Sequence, residues 1–366
     1  MKAIVVHPPK PGVEYMELKE PVRHGNGMVR VKILENGICG SDREIVKGRL
    51  TTARPPPGKD WLVLGHEAIG VVEDSADPRF KPGDLVMPIN RRSYNGKCLN
   101  CLVGRPDFCE AEEYVEAGMV GMDGFMVEYY YDDPKYLVKV PENIKDIAIL
   151  AQPLSDLEKS IEEILTIQRR FVWTCDDATY NCRRAIVFGT GATGTLFALL
   201  LKTYGFEVYM ANRREPLENE AAIAEEAGLI YYNYTKESID KLKKIGFDLV
   251  IDTTGSSASL IRDEIEILKP NGVLGLFGFP SEGNAVIPFD VFQRFIYKAN
   301  VIVGLINGQK PHFQLALSHL AQWKAIWPGV TKRLITKIIS VNDKKEVINA
   351  LNEKEKGEIK VKIKWE

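Results

Sequence analysis

Arg184-Ala185-Ile186-Val187-Phe188-Gly189-Thr190-Gly191-Ala192-Thr193-Gly194 decides how the rest of the chain is read. An apolar run from Ala185 to Phe188 makes a buried strand. Glycines at the spacing G-x-G-x-x-G follow at once, and an apolar helical stretch continues to Tyr204. The first glycine permits the turn, the second lets the backbone approach a pyrophosphate, and the third lets helix and strand pack closely. Backbone N–H groups and the positive end of the helix dipole would then hold the phosphates. Gly189, Thr190, Gly191, Ala192, Thr193 and Gly194 are therefore candidate cofactor contacts.

Outward from this unit, further β-type runs occupy 207–211, 247–253, 273–277 and 301–305, with helical patterns between several of them. Alternating β and α predicts a doubly wound parallel sheet, a Rossmann domain. A dinucleotide site usually carries an Asp or Glu ~20 residues past the glycines to bind the ribose of NAD. Here Asn212-Arg213-Arg214 stand after the strand. A carboxylate would repel a 2′-phosphate, whereas an amide and two guanidiniums bind one through charge-assisted hydrogen bonds. NADP is the predicted cofactor, with NAD tolerated.

The N-terminal part has another grain, short β runs and Pro- or Gly-containing turns with little helical periodicity, as in a partly open β-barrel. Gly65-His66-Glu67 lies between apolar runs at 62–64 and 68–73, which read as a hairpin presenting His66 and Glu67. Upstream, Gly37-Ile38-Cys39-Gly40-Ser41-Asp42 offers a thiol. A lone His beside an acid is usually a surface or capping residue, and a lone Cys a small buried hydrophobe. Thiolate, imidazole and carboxylate together are the ligand types of a catalytic zinc that keeps one position open.

Helical spacing over 154–170 predicts a helix leading from the first domain to the second, and 172–182 reads as a loop or hairpin excursion. Cys175 and Cys182 within it are open to a disulfide, a metal pair or two inert thiols. The tail holds a helix at 313–323, a strand at 334–341, a short helix at 344–351 and a strand at 359–364, and is expected to return to the first domain. The predicted division is 1–184 for a zinc-binding catalytic domain, 185–307 for the NADP-binding Rossmann domain, and 308–366 for the returning segment.

A second group, Cys98-x-x-Cys101-x7-Cys109, has the tight spacing of a structural zinc lobe but is one ligand short. Asn95 occupies the place where the repeating pattern would put the fourth. The lobe is either metal-free or completed by an acid such as Glu110 or Glu112.

Lysine plus arginine (48) nearly balance aspartate plus glutamate (50) across 366 residues, so no global field points to nucleic acid or an anionic membrane. Six cysteines in so long a chain do not make a secreted disulfide scaffold. The start, Met1-Lys2-Ala3-Ile4-Val5-Val6, is too short an apolar run for a signal peptide, and no stretch approaches the ~18 apolar residues of a membrane span. A cytoplasmic location is expected.

The order of motifs resembles the zinc-dependent medium-chain dehydrogenase/reductase superfamily, with a GroES-like β-rich domain and a Rossmann domain, over essentially the whole chain. More narrowly, Asn36 to Glu44, Leu64 to Gly70, Leu150-Ala151-Gln152-Pro153-Leu154, Asn212-Arg213-Arg214 and Asn307-Gly308-Gln309-Lys310-Pro311-His312-Phe313 resemble the archaeal glucose 1-dehydrogenases of the Sulfolobus type. The resemblance implies Cys39 and His66 as catalytic zinc ligands, Glu67 as a ligand or exchanging near-ligand, and Gln152 as a further ligand or water-mediated partner. It implies Ser41 as the start of a proton relay from the reacting hydroxyl. Sugar hydroxyls would meet Ser41, Glu67, Asn90, Glu116, Gln152, Asp156 and Asn307. The cofactor would also meet Phe277, Gly278, Phe279, Leu305, Ile306, Asn307 and Lys354.

The implied reaction is oxidation of glucose, and of aldoses such as galactose or xylose, at C1 to the lactone. Hydride would pass to NADP or NAD, in sugar catabolism of the non-phosphorylative Entner-Doudoroff type, by a homotetramer. Two departures from the family stand out: the lobe lacks its first cysteine, and Tyr297 stands where a histidine near the sugar is expected. The rival readings are an NADP-dependent dehydrogenase of another polyol or alcohol, and a non-catalytic NADPH-binding relative.

Overall fold

Strand alternation and strand continuity separate two kinds of sheet in this chain. In the strand Val29–Ile38, Val29, Val31 and Ile33 are fully buried at every second position. That is the period-2 pattern of a strand with one face on a core. Arg184–Phe188, by contrast, buries four consecutive residues from Ala185 to Phe188, as a strand covered on both faces must.

The computed structural model describes residues 1–23, 27–93, 96–255, 260–279 and 284–365. The chain forms two compact units. The first comprises Met1–Ser155, Asn307–Ala325 and Leu334–Glu366, and the second Asp156–Ile306 and Ile326–Arg333.

In the first unit, Val29–Ile38 pairs antiparallel with Glu67–Ser75 on one side and with the tail strand Lys360–Lys364 on the other. The tail thus returns to the N-terminal unit. The two runs around Gly65 do not pair with each other as a hairpin. Leu62–Val63 joins Lys2–His7 in a separate three-stranded sheet, while Glu67–Ser75 also pairs with Leu85–Pro88 in the larger one. Gly65 makes the change of sheet possible. Its φ is +89°, and a Cβ there would fall 2.5 Å from Met126 Cγ. Ile33, Ile38, Leu64, Phe125, Val361 and Ile363 share one core beneath these strands.

In the second unit six parallel strands run in the order Ile230–Asn233, Glu207–Asn212, Arg184–Phe188, Phe247–Asp252, Leu268–Leu276, Val301–Gly304. The order reverses at Arg184–Phe188. A doubly wound sheet opens its ligand crevice at such a switch point.

The helix predicted over 154–170 spans Ala151–Gln168, and the chain leaves the first unit inside it, after Ser155, rather than at 184. Later residues of that helix bond within the second unit: Lys159 Nζ donates to Ile306 O at 2.5 Å and Gln168 Nε2 to Asn271 O at 2.9 Å. In the following excursion Cys175 and Cys182 form a disulfide, which decides among the three readings of that pair. Tyr180, inside the loop so closed, stacks on Phe206 at 5.1 Å with Trp173 packed beside both.

Candidate active site

Cys39 follows directly on the strand Val29–Ile38 and is the N-cap of the helix Gly40–Val46. Its backbone N–H donates to Asp42 Oδ2 at 2.8 Å, so the third helical residue ties the loop that carries the thiol. The other oxygen of Asp42, itself fully buried, lies 3.2 Å from His66 Nδ1 in an ion-pair contact that is not aligned as a hydrogen bond. One carboxylate therefore braces both the cysteine and the histidine, and the ring nitrogen left for a metal is Nε2.

Ligand atoms of Cys39, His66 and Glu67 lie within 4.8 Å of one another. The strand register sets this. Glu67 is opposite Gly37, where a Cβ would fall 1.9 Å from Glu67 Oε2, so only glycine leaves room for the carboxylate. Asn36, fully buried next to it, donates from Nδ2 to the carbonyls of Glu67 (3.0 Å) and Phe125 (3.1 Å).

Both oxygens of Glu67 are 2.6 Å from the ammonium of Lys360, on the tail strand. Glu67 and Lys360 have side chains 0% and 2% exposed, a buried pair in which neither charge has water to turn to.

Electrostatics within the cluster is reciprocal. Burial alone would push the Cys39 thiol up, but His66 beside it brings its pKa below the ordinary value. Burial would lower His66, yet Asp42 and Cys39 hold it well above the ordinary imidazole range. Burial would likewise lower Lys360, and Glu67 and Cys39 raise it instead. A thiol inclined to ionise beside an imidazole fixed by a carboxylate suits Zn²⁺.

The polar residues expected around a sugar divide by unit. Ser41, Asn90, Glu116, Gln152 and Asn307 belong to the first, and Asp156 opens the second, one helical turn after Gln152 on the same helix. Asn90 and Glu116 approach Gly65 through short backbone steps: Ala117 N–H donates to Asn90 O at 3.0 Å, and a Cβ on Gly118 would fall 2.6 Å from Gly65 O. Ala148–Leu150, just before Gln152, packs against the strands Val29–Ile38 and Glu67–Ser75. Ser41 is half-buried in the first turn after Cys39.

Glu116 is engaged by Arg91, with Nε 2.9 Å from Oε1. Asn90 Oδ1 and Asn307 Nδ2 are buried polar atoms without a partner among the described residues, and Asn307 sits in left-handed backbone at φ +57°. Each such orphan asks for a ligand atom. Tyr297 ends the helix Phe289–Tyr297 and is 89% exposed.

In the second unit the glycine loop has the shape its spacing predicts. Gly189 has φ +108° and Gly191 caps the helix Ala192–Thr203. A Cβ on Gly194 would fall 2.1 Å from Gly189 O. Asn212 Nδ2 donates to Thr190 Oγ1 at 2.6 Å, joining the glycine loop to the end of the next strand. Arg213 is exposed, but Arg214 turns onto Glu220, with Nη1 and Nη2 at 2.6 and 2.7 Å from the two oxygens. Phe277 packs edge-on to Phe197, Gly278 sits so close to Gly255 that a Cβ would fall 2.3 Å from its N, and Phe279 is exposed. Leu305 is buried, and the carbonyl of Ile306 is the one held by Lys159. Lys354 is exposed in the first unit.

Cys98, Cys101 and Cys109 also gather their sulfurs within 4.8 Å. Cys98 caps the short helix Leu99–Leu102, accepting from Cys101 N–H at 3.5 Å. That N–H and the one of Glu110 pull the Cys98 thiol down to about 7, whereas burial pushes Cys101 to about 11. Neither Glu110 nor Glu112 joins the sulfurs within that radius, and Glu110 accepts from Asn100 at 3.0 Å. Asn95 lies outside the described residues.

Sequence reasoning passed over Asp42, Lys360 and Glu220. Asp42 carries a local signal, an acid three residues after an N-cap. Lys360 is 293 residues from its partner and carries none.

A GroES-like unit bearing a Cys-His-Glu cluster, joined to a unit with a glycine-rich dinucleotide loop, defines the medium-chain class of zinc-dependent dehydrogenases. Residues 25–142 match the alcohol dehydrogenase GroES-like domain and residues 145–365 the glucose dehydrogenase C-terminus. The chain belongs to the zinc-dependent medium-chain glucose dehydrogenase family and is an oxidoreductase.

It is 77% identical over 365 residues to glucose 1-dehydrogenase 2 of Caldivirga maquilingensis, and 60% identical over 370 residues to glucose 1-dehydrogenase 2 of Saccharolobus solfataricus, covering 100% of both chains in each case. Among solved structures it is similar to Haloferax mediterranei glucose dehydrogenase in complex with NADP, Zn and gluconolactone. The TM-score is 0.87 at 27% identity, with 100% of this chain and 99% of that one covered.

Proposed function

We propose that the protein oxidises glucose, and related aldoses such as galactose or xylose, at C1 to the lactone, with NADP or NAD as hydride acceptor. The observation that carries this reading is the Cys39-His66-Glu67 cluster, braced by buried counter-charges, in a chain that also holds a dinucleotide loop.

Cys39 and His66 would hold the zinc, with Glu67 or Gln152 completing its shell. When bound, the metal supplies Lewis acidity to the sugar hydroxyl and the nicotinamide supplies the hydride acceptor. The protein's own part is binding, orientation and proton handling. Ser41, two residues after Cys39 in the first turn of its helix, takes the hydroxyl proton outward. Asn90 Oδ1 and Asn307 Nδ2, buried and without a partner among the described residues, support a polyhydroxylated ligand, because a substrate lacking the matching hydroxyls leaves them unpaired. Glu116, Gln152 and Asp156 complete the sugar set. Gly189 to Gly194 take the pyrophosphate, and Asn212 with Arg213 the 2′-phosphate.

Cys98, Cys101 and Cys109 offer a second, structural zinc three thiolates, and a water or an acid drawn in on binding would have to supply the fourth ligand. The chain is read as a cytoplasmic homotetramer serving non-phosphorylative sugar catabolism. Among the described residues no helix is long and apolar enough to cross a membrane. Phe289, Phe292 and Ile296 are exposed along one helix, and Ile302 on the edge strand Val301–Gly304, an apolar surface that supports self-association.

The test is a panel of sugars with both cofactors on protein of known zinc content. Chelator-treated protein is expected to regain glucose oxidation on adding Zn²⁺ and NADP⁺. No recovery with glucose, or equal rates with simple aliphatic alcohols, refutes the reading.

A further inference from the structure

Of the two arginines that follow the strand Glu207–Asn212, Arg213 is exposed, whereas Arg214, its side chain 37% exposed, is held by groups of the protein. Arg214 presents both terminal nitrogens to Glu220, and its Nη1 also donates to Glu215 O at 3.0 Å. Glu220 has a side chain only 3% exposed and stands in the first turn of the helix Glu218–Ala227. It is a junction rather than a simple counter-ion. Oε2 accepts the N–H of Leu217 at 2.8 Å, which caps the helix. Burial would raise its pKa, yet the hydrogen bonds from Arg214 and Leu217 hold it below the ordinary carboxylate value. At neutral pH the group is an anion.

A guanidinium can grip an oxyanion end-on through its two terminal nitrogens or along its Nε edge, and it shares one charge among whatever anions hold it. On Arg214 a carboxylate of the protein already has the end-on grip and offsets the charge. We propose that Glu220 sets the balance between the two cofactors: by holding Arg214 it withdraws one of two cations from the 2′-phosphate of NADP and leaves discrimination to Arg213 and Asn212. NADP is then preferred only moderately, and NAD, which offers no 2′-phosphate to lose, remains a working substrate. The inference rests on the reading of 189–194 and 212–214 as the dinucleotide site. Glu220 acts through Arg214 and is a specificity-determining residue, not a catalytic one.

The experiment is kcat/KM of the zinc-loaded enzyme for NADP⁺ and NAD⁺ at saturating glucose. Glu220→Gln keeps an oxygen for the Leu217 N–H and removes the charge that holds Arg214. It is expected to raise the NADP:NAD ratio by roughly tenfold, the scale of one added charge-assisted bidentate contact, through a lower KM for NADP⁺.

A second pair guards against a fold defect. Arg214→Met leaves the Glu220 carboxylate uncompensated and is expected to lower the ratio, and adding Glu220→Gln to it is expected to restore the ratio to at least the wild-type value. An unchanged or lower ratio in Glu220→Gln overturns the proposal, as does a double variant no better than Arg214→Met alone, since Arg214 would then hold the phosphate itself. Arg213→Met distinguishes the underlying reading. If it alters KM for neither cofactor, the assignment of 212–214 has failed, and the role of Glu220 with it.

Discussion

Cys39 and Cys98 both cap short helices, and both sit among other ligand atoms within the same 4.8 Å radius. Their surroundings are opposite. The partners of Cys98 lie within the next eleven residues, are half-exposed, and reach one another through one helical turn and a short loop. The partners of Cys39 come from its own helix, from His66 and Glu67 at the start of another strand and from the tail, and their charges are buried and matched pairwise, Asp42 with His66 and Glu67 with Lys360. A local cluster forms wherever its own loop forms. A distributed one forms only when the whole unit has folded, so chemistry at Cys39 is coupled to global stability, and whatever happens at Cys98 stays local.

The strongest way to break that contrast is through activity. His66→Ala is expected to lower kcat/KM for glucose by on the order of 10⁴-fold, the several kcal/mol that Lewis-acid assistance supplies. Cys98→Ser, measured alongside, is expected to remain within about threefold of wild type. Comparable losses in the two variants would erase the distinction.

Next in size is the coupling to stability. Lys360→Met strands the Glu67 charge in the interior and is expected to cost ~3–5 kcal/mol, read by denaturant unfolding. Glu67→Gln in the same chain is expected to return most of it, because an amide needs no counter-charge. A single variant as stable as wild type would show that the pair is not what secures the tail strand.

A buried acid belonging to neither cluster sharpens the rule. Glu264 is fully buried with neither oxygen partnered among the described residues, and burial, with Asp252 and Asp263 nearby, pushes its pKa to about 9. Unfolded, the carboxyl ionises near ~4.3. Between these values unfolding releases a proton, so this group's contribution to stability is complete below ~4 and is lost progressively as pH rises toward 9. Glu264→Gln removes that loss, and its Tm is expected to exceed the wild-type value by ~3 °C or more at pH 8, and by much less at pH 5. A gain independent of pH would mean that packing, not ionisation, is responsible.

The smallest effect concerns the lobe itself. Cys98→Ser is expected to reduce zinc from two to one per chain and to lower Tm by only ~2–4 °C, the shift of about 1 kcal/mol in a domain of this size. One zinc per chain in the wild type would empty the lobe of metal.

Much of the fold was legible because its signals are contiguous. The apolar run before Gly189 predicts a strand buried on both faces, and β and α in alternation predict a doubly wound parallel sheet, while the strand Ile230–Asn233 and the order of the six strands come from the structure. The hairpin expected around Gly65 was misread for a definite reason. Two apolar runs joined by a glycine turn describe a hairpin and a change of sheet equally well, and the partner strands, Lys2–His7 and Val29–Ile38, choose between them. The boundary expected at 184 was misplaced because a helix pattern records which face is apolar and not which unit that face belongs to. Arg213 and Arg214 are chemically alike and read alike in the sequence. Glu220, six residues on, separates them.

Residue types and their spacing were sufficient to determine a Rossmann unit and to single out Cys39, His66 and Glu67, whose ligand atoms the fold brings together, and they propose where a dinucleotide would sit. These depend on local backbone geometry and on the intrinsic chemistry of side chains, both written in consecutive positions. Only the tertiary structure decided that Asp42 braces Cys39 and His66, that Lys360 neutralises Glu67, that Glu220 engages Arg214, and that Cys175 and Cys182 are bonded. Each of these is a pairing, and a buried charge or thiol takes whichever partner the packed chain brings within reach.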